Sequence, residues 1–200
     1  MHSAEDLRKA EDFGAWLHAR TNGLVLSADD RVRIGAGCFH LAQEHHDAII
    51  VLVRARLYGS AWALARSLLE AYVRGTWLVR HASQAELENY ANGKCPNFYQ
   101  LVTAIGTEPD TGGAWLAEIF KRRYWSILND YTHGGASQVL RRNTFDAIEP
   151  AFKEAELSAL LAFAGEVATR VATELFALAG QELMLIQLRE KAAEMRVGLR

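Results

Sequence analysis

Residues 61–81 read AWALARSLLEAYVRGTWLVRH and form the most apolar predicted helix of the chain. Its large apolar residues recur at helical spacing and occupy nearly every side of the helix: Trp62, Leu64, Leu68, Leu69, Tyr72, Val73, Trp77 and Leu78. A helix that is apolar nearly all round belongs in the middle of a core. No segment of the chain alternates apolar and polar residues as a half-buried strand does. The stretch therefore predicts an all-α protein.

Amphipathic segments continue on both sides of this stretch. Tyr58-Gly59-Ser60 is typical of a tight turn just before it, and Ser83 with Glu86 forms the sequence pattern of a helix-capping box just after it. A long helix is predicted from Ala114 to Tyr131, and a polar segment covers residues 136–149.

The chain shows no internal repeat and no linker. The 200 residues are therefore predicted to form one domain, residues 1–200, with a bundle of about six to eight helices.

Composition and charge exclude several classes of protein. Half of the residues are hydrophobic and the net charge is −2, which excludes a disordered chain and a uniformly basic nucleic-acid binder. No uncharged apolar run is long enough to cross a membrane, and the charged first ten residues do not resemble a secretory signal. Two cysteines, Cys38 and Cys95, are too few for a disulfide framework or a thiolate zinc site. These features favour a reduced, cytoplasmic protein.

Three of the four charged residues in the apolar stretch are regularly spaced. Arg66, Glu70 and Arg74 stand four residues apart, so they share one helix face, which also carries Trp62 and Trp77. Burying an unpaired charge is costly, so we expect Arg66 and Glu70 to be partly buried and paired. Two interpretations stay open here: the floor of a polar pocket, or a salt bridge between helices.

The helix predicted from Ala114 carries a polar face near its end. The face consists of Arg122, Ser126, Asn129, Asp130 and His133. A histidine can transfer protons near neutral pH, and a neighbouring carboxylate such as Asp130 can orient its ring. Asn129 offers hydrogen-bond donors, and Arg122 can hold an anion. The face is typical of a site, although a helix that is simply hydrated on one side shows the same pattern.

Basic residues surround this face. Between Lys121 and Arg142 the sequence contains five lysines and arginines and one acidic residue, Asp130. In a chain whose net charge is −2, such a segment produces a local positive field. The segment favours a phosphate-bearing ligand or RNA as a partner.

Acidic and imidazole side chains cluster on the second predicted helix. His40, Glu44 and Asp47 share a face, with His45 and His46 beside them. Metal-carboxylate bundles use Glu-x-x-His pairs, and none occurs in this chain, so no metal is expected. We interpret His45 and His46 as a solvent-exposed or interface pair. Glycine-rich nucleotide loops and the G-x-S-x-G motif do not occur either, so no cofactor is predicted.

Two segments resemble a bacterial family of all-helical domains of unknown function. They are residues 54–78, RARLYGSAWALARSLLEAYVRGTWL, and residues 124–135, YWSILNDYTHGG. Members of that family carry an Arg-x-x-x-Glu helix and a later helix that ends in a Tyr-x-His-Gly pattern. The residues that match are Arg66, Glu70, Tyr124, Tyr131 and His133. The resemblance extends over about residues 48–180 and implies an all-helical fold without implying an activity.

The chain is more loosely similar to HEPN domains, small helical bundles that include dimeric ribonucleases of toxin–antitoxin, CRISPR and anti-phage systems. This similarity implies RNA cleavage without a metal, with His133 as general acid and base. HEPN ribonucleases place an arginine a few residues before that histidine, and this chain has none at that spacing. Arg66 or Arg122 would therefore have to stabilise the charge of the phosphate.

The sequence thus supports two hypotheses. The first is a binding or assembly module in which Glu70, Arg122, Asn129 and Tyr131 form the binding residues. The second is a HEPN-like ribonuclease with His133, Arg66 and Asp130 as catalytic residues. A homodimer is compatible with both, because the last predicted helix carries apolar residues that can pair: Leu183, Ile186, Leu188 and Met195.

Overall fold

The secondary structure of the protein is helical. The structure, a computed structural model, describes residues 2–106, 113–121 and 124–195. Its helices are α1 (His2–Thr21), α2 (Asp30–Arg54), α3 (Tyr58–Arg80), α4 (Gln84–Ala91), α5 (Phe98–Ile105), α6 (Gly113–Lys121), α7 (Tyr124–Thr132), α8 (Ala136–Leu140), α9 (Glu154–Leu178) and α10 (Glu182–Met195). The described residues form no strand, and a single isolated bridge joins Asn143 to Ile148. The prediction of an all-α protein is confirmed.

Helix α3 lies at the centre of the fold. It packs against α2, α5, α7 and α9, with its closest association along α2. Leu68, Tyr72 and Leu78 of α3 are buried, as is Phe39 of α2, whose ring lies against that of Tyr72. The apolar pattern of the sequence therefore predicted the position of this helix correctly.

A second, smaller core joins α1, α9 and α10. Phe13 and Leu17 of α1 pack with Phe176 of α9 and Leu188 of α10. Leu188, one of the residues expected to serve a dimer interface, is thus buried within the chain. Leu183 and Ile186 are exposed, and the side chain of Met195 lies outside the described part of the structure, so the homodimer stays a prediction.

The described residues contain ten helices, so the predicted six to eight was too low. The polar segment 136–149 includes α8, which has five residues and is too short to show helical periodicity in the sequence. The helix predicted from Ala114 to Tyr131 corresponds to α6 and α7, and residues 122 and 123 lie outside the described residues.

The turn before α3 lies at residues 55–57 and not at the predicted Tyr58–Ser60. Arg56 adopts a left-handed conformation with φ 59°, and the N–H of Leu57 donates to the carbonyl of Leu52 over 2.8 Å. This hydrogen bond closes α2 with the motif that usually places glycine at the left-handed position. Because an arginine occupies it here, the sequence carried no signal for this turn.

Two further sequence expectations concern cysteines and membrane spans. Cys38 is buried, Cys95 is exposed, and both are free thiols. Within the described ranges, none of the helices combines the length and apolar character that a bilayer span requires.

Close contact between α2 and α3 depends on a glycine. A methyl group at Gly75 would come within 2.5 Å of Cε1 of Phe39, whereas one at Gly37, on the exposed side of α2, would meet nothing within 4 Å. We expect Gly75→Ala to lower the free energy of unfolding by about 1–3 kcal/mol through overpacking. Gly37→Ala is the matched control and should raise it by about 0.5–1 kcal/mol, because alanine favours the helix. Urea unfolding of both variants measures the difference, and changes of the same sign would contradict this packing.

Candidate functional site

The end of α7 lies against the N-terminal half of α3. The rings of Trp62 and Tyr131 stack with their centroids 4.8 Å apart. The hydroxyl of Thr132 donates to the carbonyl of Leu128 on its own helix, over 2.8 Å, and also reaches the carbonyl of Ala63 on α3, over 3.3 Å. These contacts bring the residue that follows Thr132 onto the surface of α3.

That residue is His133, which ends α7. The next residue, Gly134, has φ 65°, and the N–H of Gly135 donates to the carbonyl of Asp130 over 2.7 Å. A left-handed glycine with this hydrogen bond is a common way to stop a helix. The helix therefore ends at His133 and Gly134, and this leaves the imidazole exposed at the helix terminus.

His133 and Arg66 form a hydrogen bond although 67 positions separate them. Nη1 of Arg66 lies 2.9 Å from Nε2 of His133. A guanidinium donates and cannot accept, so Nε2 is the acceptor and the ring is neutral, with its proton on Nδ1. The structure thus brings together the two residues on which the ribonuclease hypothesis depends.

Glu70 holds Arg66 in place. Its Oε1 accepts from Nε of Arg66 over 2.7 Å, and its Oε2 accepts from Nη2 of Arg74 over 2.8 Å. The Glu70 side chain is 15% exposed and that of Arg66 is 23% exposed. The expectation that these residues are partly buried and paired is confirmed. Among the described residues both ion pairs of this set lie within α3, so the alternative of a salt bridge between helices finds no support there.

An aromatic pair covers the other side of the guanidinium. Cζ of Arg66 lies 5.0 Å from the centre of the Trp125 ring, and Trp125 stacks on Phe98 with centroids 4.1 Å apart. Sequence reasoning missed both aromatic residues, because they lie on α7 and α5 and no spacing relates them to α3. We call Arg66, Glu70, Arg74 and His133 the Arg66–His133 cluster.

Asp130 contacts the turn after α7. Its Oδ2 accepts from the N–H of Ser137 over 2.7 Å, and its Oδ1 lies so close to Gly135 that a side chain there would collide with it. Hydrogen bonds from Ser137 hold the pKa of Asp130 below its usual range. The expected contact between Asp130 and the His133 ring is absent from the described residues. The carboxylate instead supports the first turn of α8.

Three other predicted site residues have different surroundings. Tyr131 is buried between Trp62 and Phe152, and burial raises the pKa of its hydroxyl. Asn129 is partly buried, and its Oδ1 has no hydrogen-bond partner among the residues that the structure describes. Arg122 lies outside the described residues. Tyr131 therefore packs in the core beneath the cluster.

One arginine of the predicted basic segment, Arg141, is paired with a glutamate, which reduces the local positive charge. Arg141 donates from Nε to Oε1 of Glu156 over 2.8 Å, and its guanidinium lies 5.6 Å from the ring centre of Tyr131. Arg141 thus anchors the segment after α8 to α9. The described part of the chain contains no group of three or more His, Cys, Asp or Glu side chains placed to hold a metal ion.

Comparison with known proteins gives one match. A family model described as a family of unknown function, DUF6988, matches residues 39–197, well over half of the chain. No curated protein and no solved structure gives a significant match. The matched region contains all four residues of the Arg66–His133 cluster and all of α3.

Proposed function

The chain belongs to DUF6988, a family of unknown function, and we propose that it is a helical binding module that receives an RNA phosphate at the Arg66–His133 cluster. One observation carries this proposal: an exposed imidazole and a partly buried guanidinium are joined by a 2.9 Å hydrogen bond. The sequence resembles an uncharacterised domain family, and the matching family model also describes a family of unknown function.

Hydrogen-bonding capacity favours an anion at this place. A guanidinium carries five N–H donors, and in Arg66 only Nε and Nη1 have partners among the described residues. The Nδ1–H of the neutral His133 ring is a further donor. Phosphate oxygens accept charge-assisted hydrogen bonds of this kind.

Charge supports the same ligand. Two arginines and one glutamate give the cluster a net positive charge while the imidazole is neutral. Glu70 and the Trp125 ring fix the guanidinium before a ligand arrives, so little side-chain entropy is lost on binding. A preorganised cation at a helix junction is suited to binding one phosphate group.

A ribonuclease without a metal is the second candidate, and the adjacency of base and guanidinium favours it. Nε2 of His133 would take the proton of a ribose 2′-hydroxyl, and the 2′-oxygen would then attack phosphorus to form a cyclic phosphate. The 5′-oxygen would leave and take up a proton from solvent water, while Arg66 would stabilise the charge on the phosphate oxygens. In the structure Nε2 already accepts from Arg66, so the phosphate must first displace that hydrogen bond. This requirement is why binding is the primary proposal.

RNA binding tests the proposal directly. Fluorescence anisotropy with a labelled single-stranded RNA, in the presence of a metal chelator, should show salt-dependent binding. We expect Arg66→Ala to weaken it by about tenfold or more, which corresponds to the loss of a charge-assisted contact. Arg20→Ala is the matched control, because Arg20 also lies over a tryptophan, 4.3 Å from the ring centre of Trp16, but on α1.

Equal affinity of the Arg66→Ala and Arg20→Ala variants would contradict the proposal. Chromatography of the same RNA after incubation separates binding from cleavage. Intact RNA with wild-type protein supports the binding module alone. Cyclic-phosphate products that disappear in His133→Ala would establish the ribonuclease instead.

A further inference from the structure

We infer that a bound RNA strand continues from the Arg66–His133 cluster along α3 to Arg142, and that Phe145 stacks on one of its bases. This inference rests on the proposed RNA binding and extends it from one phosphate to a single strand of several nucleotides. Arg142 and Phe145 lie in the segment between α8 and α9, outside the cluster. The segment thus supplies a second phosphate contact and a stacking surface.

Arg142 contacts α3 near the start of that helix. Its Nη2 would lie 2.5 Å from a methyl group at Gly59, so the guanidinium lies directly against the backbone of α3. Gly59 and Arg66 are seven residues apart, which corresponds to about two turns, or about 10 Å along the helix axis. At about 100° per residue the directions of the two positions differ by only about 20°. The guanidinium groups of Arg142 and Arg66 are therefore arranged along one face of α3.

The side chain of Gln138 lies between Arg142 and the cluster. Its Nε2 donates to the carbonyl of Gly59 over 2.8 Å. Its Oε1 would lie 3.9 Å from a methyl group at Gly134, the residue that follows His133. The turn after α7, helix α8 and the first turns of α3 therefore form one continuous surface, and both arginines belong to it.

Arg142 is available to a ligand. Its side chain is exposed and makes no hydrogen bond or ion pair with another described residue. The preceding residue, Arg141, is instead paired with Glu156. A guanidinium carries five N–H donors and binds phosphate oxygens through charge-assisted hydrogen bonds. Arg142 can therefore bind a second phosphate of the strand whose first phosphate lies at Arg66.

Phe145 is the most exposed large apolar residue in the described part of the chain, with a relative exposure of 106%. It lies at the tip of a hairpin turn, which is closed by a 3.0 Å hydrogen bond from the N–H of Thr144 to the carbonyl of Ala147. At this exposure its ring adds nothing to the core. Aromatic rings that stack on bases are a main source of affinity for single-stranded RNA. A ring three residues after Arg142 is placed to stack on a base beside the phosphate that Arg142 binds.

Two carboxylates of the same hairpin decide which part of the RNA reaches Phe145. Asp146 and Glu149 are exposed, and the N–H of Glu149 donates to the carbonyl of Arg142 over 2.9 Å, so these two residues face each other across the hairpin. Negative charges near the tip repel phosphates. The phosphates therefore follow α3, and a base turns towards Phe145.

The groove between α1 and α2 has the opposite charge. Glu44 and Asp47 line its cavity, and the lining contains no lysine or arginine. Arg54, at one end of the groove, is paired with Glu11 over 2.6 Å. His46 is 1% exposed, so the prediction of a solvent-exposed or interface histidine was wrong for this residue. Charge therefore favours the α3 surface over this groove for a polyanion.

Two RNAs of different length test the inference on the full chain. Fluorescence anisotropy measures a labelled octaadenylate, and calorimetric titration measures the dinucleotide ApA, whose single phosphate cannot reach both arginines. We expect Arg142→Ala to weaken octaadenylate binding by about fivefold or more and to lower its salt dependence by about one phosphate contact. The same variant should leave ApA binding unchanged, whereas Arg66→Ala should weaken both.

Arg33→Ala is the matched control, because Arg33 is equally exposed but lies on α2. Equal octaadenylate affinities of the Arg142→Ala and Arg33→Ala variants would overturn the inference. If Arg66→Ala then still weakened binding, the proposed function would stand without the extended strand. If the wild-type protein bound neither RNA, both would fail.

Phe145 is tested by two substitutions. Phe145→Leu keeps an apolar side chain without an aromatic face and should weaken octaadenylate binding by about fivefold. Phe145→Tyr keeps the face and should retain the affinity. Thermal unfolding should be the same for all three proteins, because the ring is fully exposed. Equal affinity of Phe145→Leu and the wild type would refute base stacking at this position.

Discussion

Replacement of Arg80 by alanine is expected to lower the free energy of unfolding by about 3 kcal/mol. Arg80 of α3 donates from Nε and Nη2 to Oε2 of Glu174 on α9, over 3.1 and 2.8 Å. The Glu174 side chain is 8% exposed, so the variant leaves a buried carboxylate without its guanidinium. Breaking a buried ion pair from one side costs about 3–5 kcal/mol, and the partial exposure of Arg80 places the loss at the lower end.

Arg74→Ala is the matched control for this prediction. The side chains of Arg74 and Arg80 lie on the same helix and are both 36% exposed. In Arg74→Ala the carboxylate of Glu70 keeps its hydrogen bond with Arg66, so the loss should stay below about 1 kcal/mol. Urea unfolding compares the two, and the double variant Arg80→Ala with Glu174→Ala should recover part of the Arg80 loss. Equal losses for Arg74 and Arg80 would show that the burial of Glu174 is not the cause.

Glu70→Ala should have the second-largest effect, a loss of about 2 kcal/mol together with weaker RNA binding. The variant removes the shared acceptor of Arg66 and Arg74 and leaves two positive charges on one helix face. It also frees the Arg66 guanidinium from the position in which it contacts His133 and Trp125. The affinity for RNA should therefore fall although one negative charge has been removed.

The expected fall in RNA affinity distinguishes a positioning role of Glu70 from a purely electrostatic one. If Glu70 acted only through its charge, its removal would strengthen the binding of a polyanion. Glu70→Gln keeps an acceptor oxygen for Arg66, so we expect it to retain more stability and more affinity than the alanine variant. Thermal unfolding and RNA anisotropy on both proteins measure this, and tighter binding by Glu70→Ala would contradict a positioning role for Glu70.

Local patterns in the sequence predicted much of the fold. The apolar surface of residues 61–81 predicted the buried helix α3, and the pairing of Arg66 with Glu70 followed from their spacing. The Ser83–Glu86 capping box is present at the start of α4. These features depend on residues a few positions apart, so sequence spacing alone determines their geometry.

Features without such a local signal were predicted poorly. The five-residue helix α8 depends on the carboxylate of Asp130, which supports its first turn from the end of α7. The turn at Arg56 uses an arginine where glycine is usual. In both cases the surrounding structure outweighs the preference of the local sequence.

The helical class, the central helix and the paired charges on its face could all be predicted from local sequence, because each follows from helical periodicity and from the cost of burying an unpaired charge. Which distant groups meet depends instead on how the helices pack. His133 reaches Arg66 because α7 is docked on α3 through Trp62 and Tyr131, and His46 is buried because α1 covers α2. Such contacts depend on how whole helices pack, and helix packing is set by the summed fit of many side chains rather than by the spacing of a few.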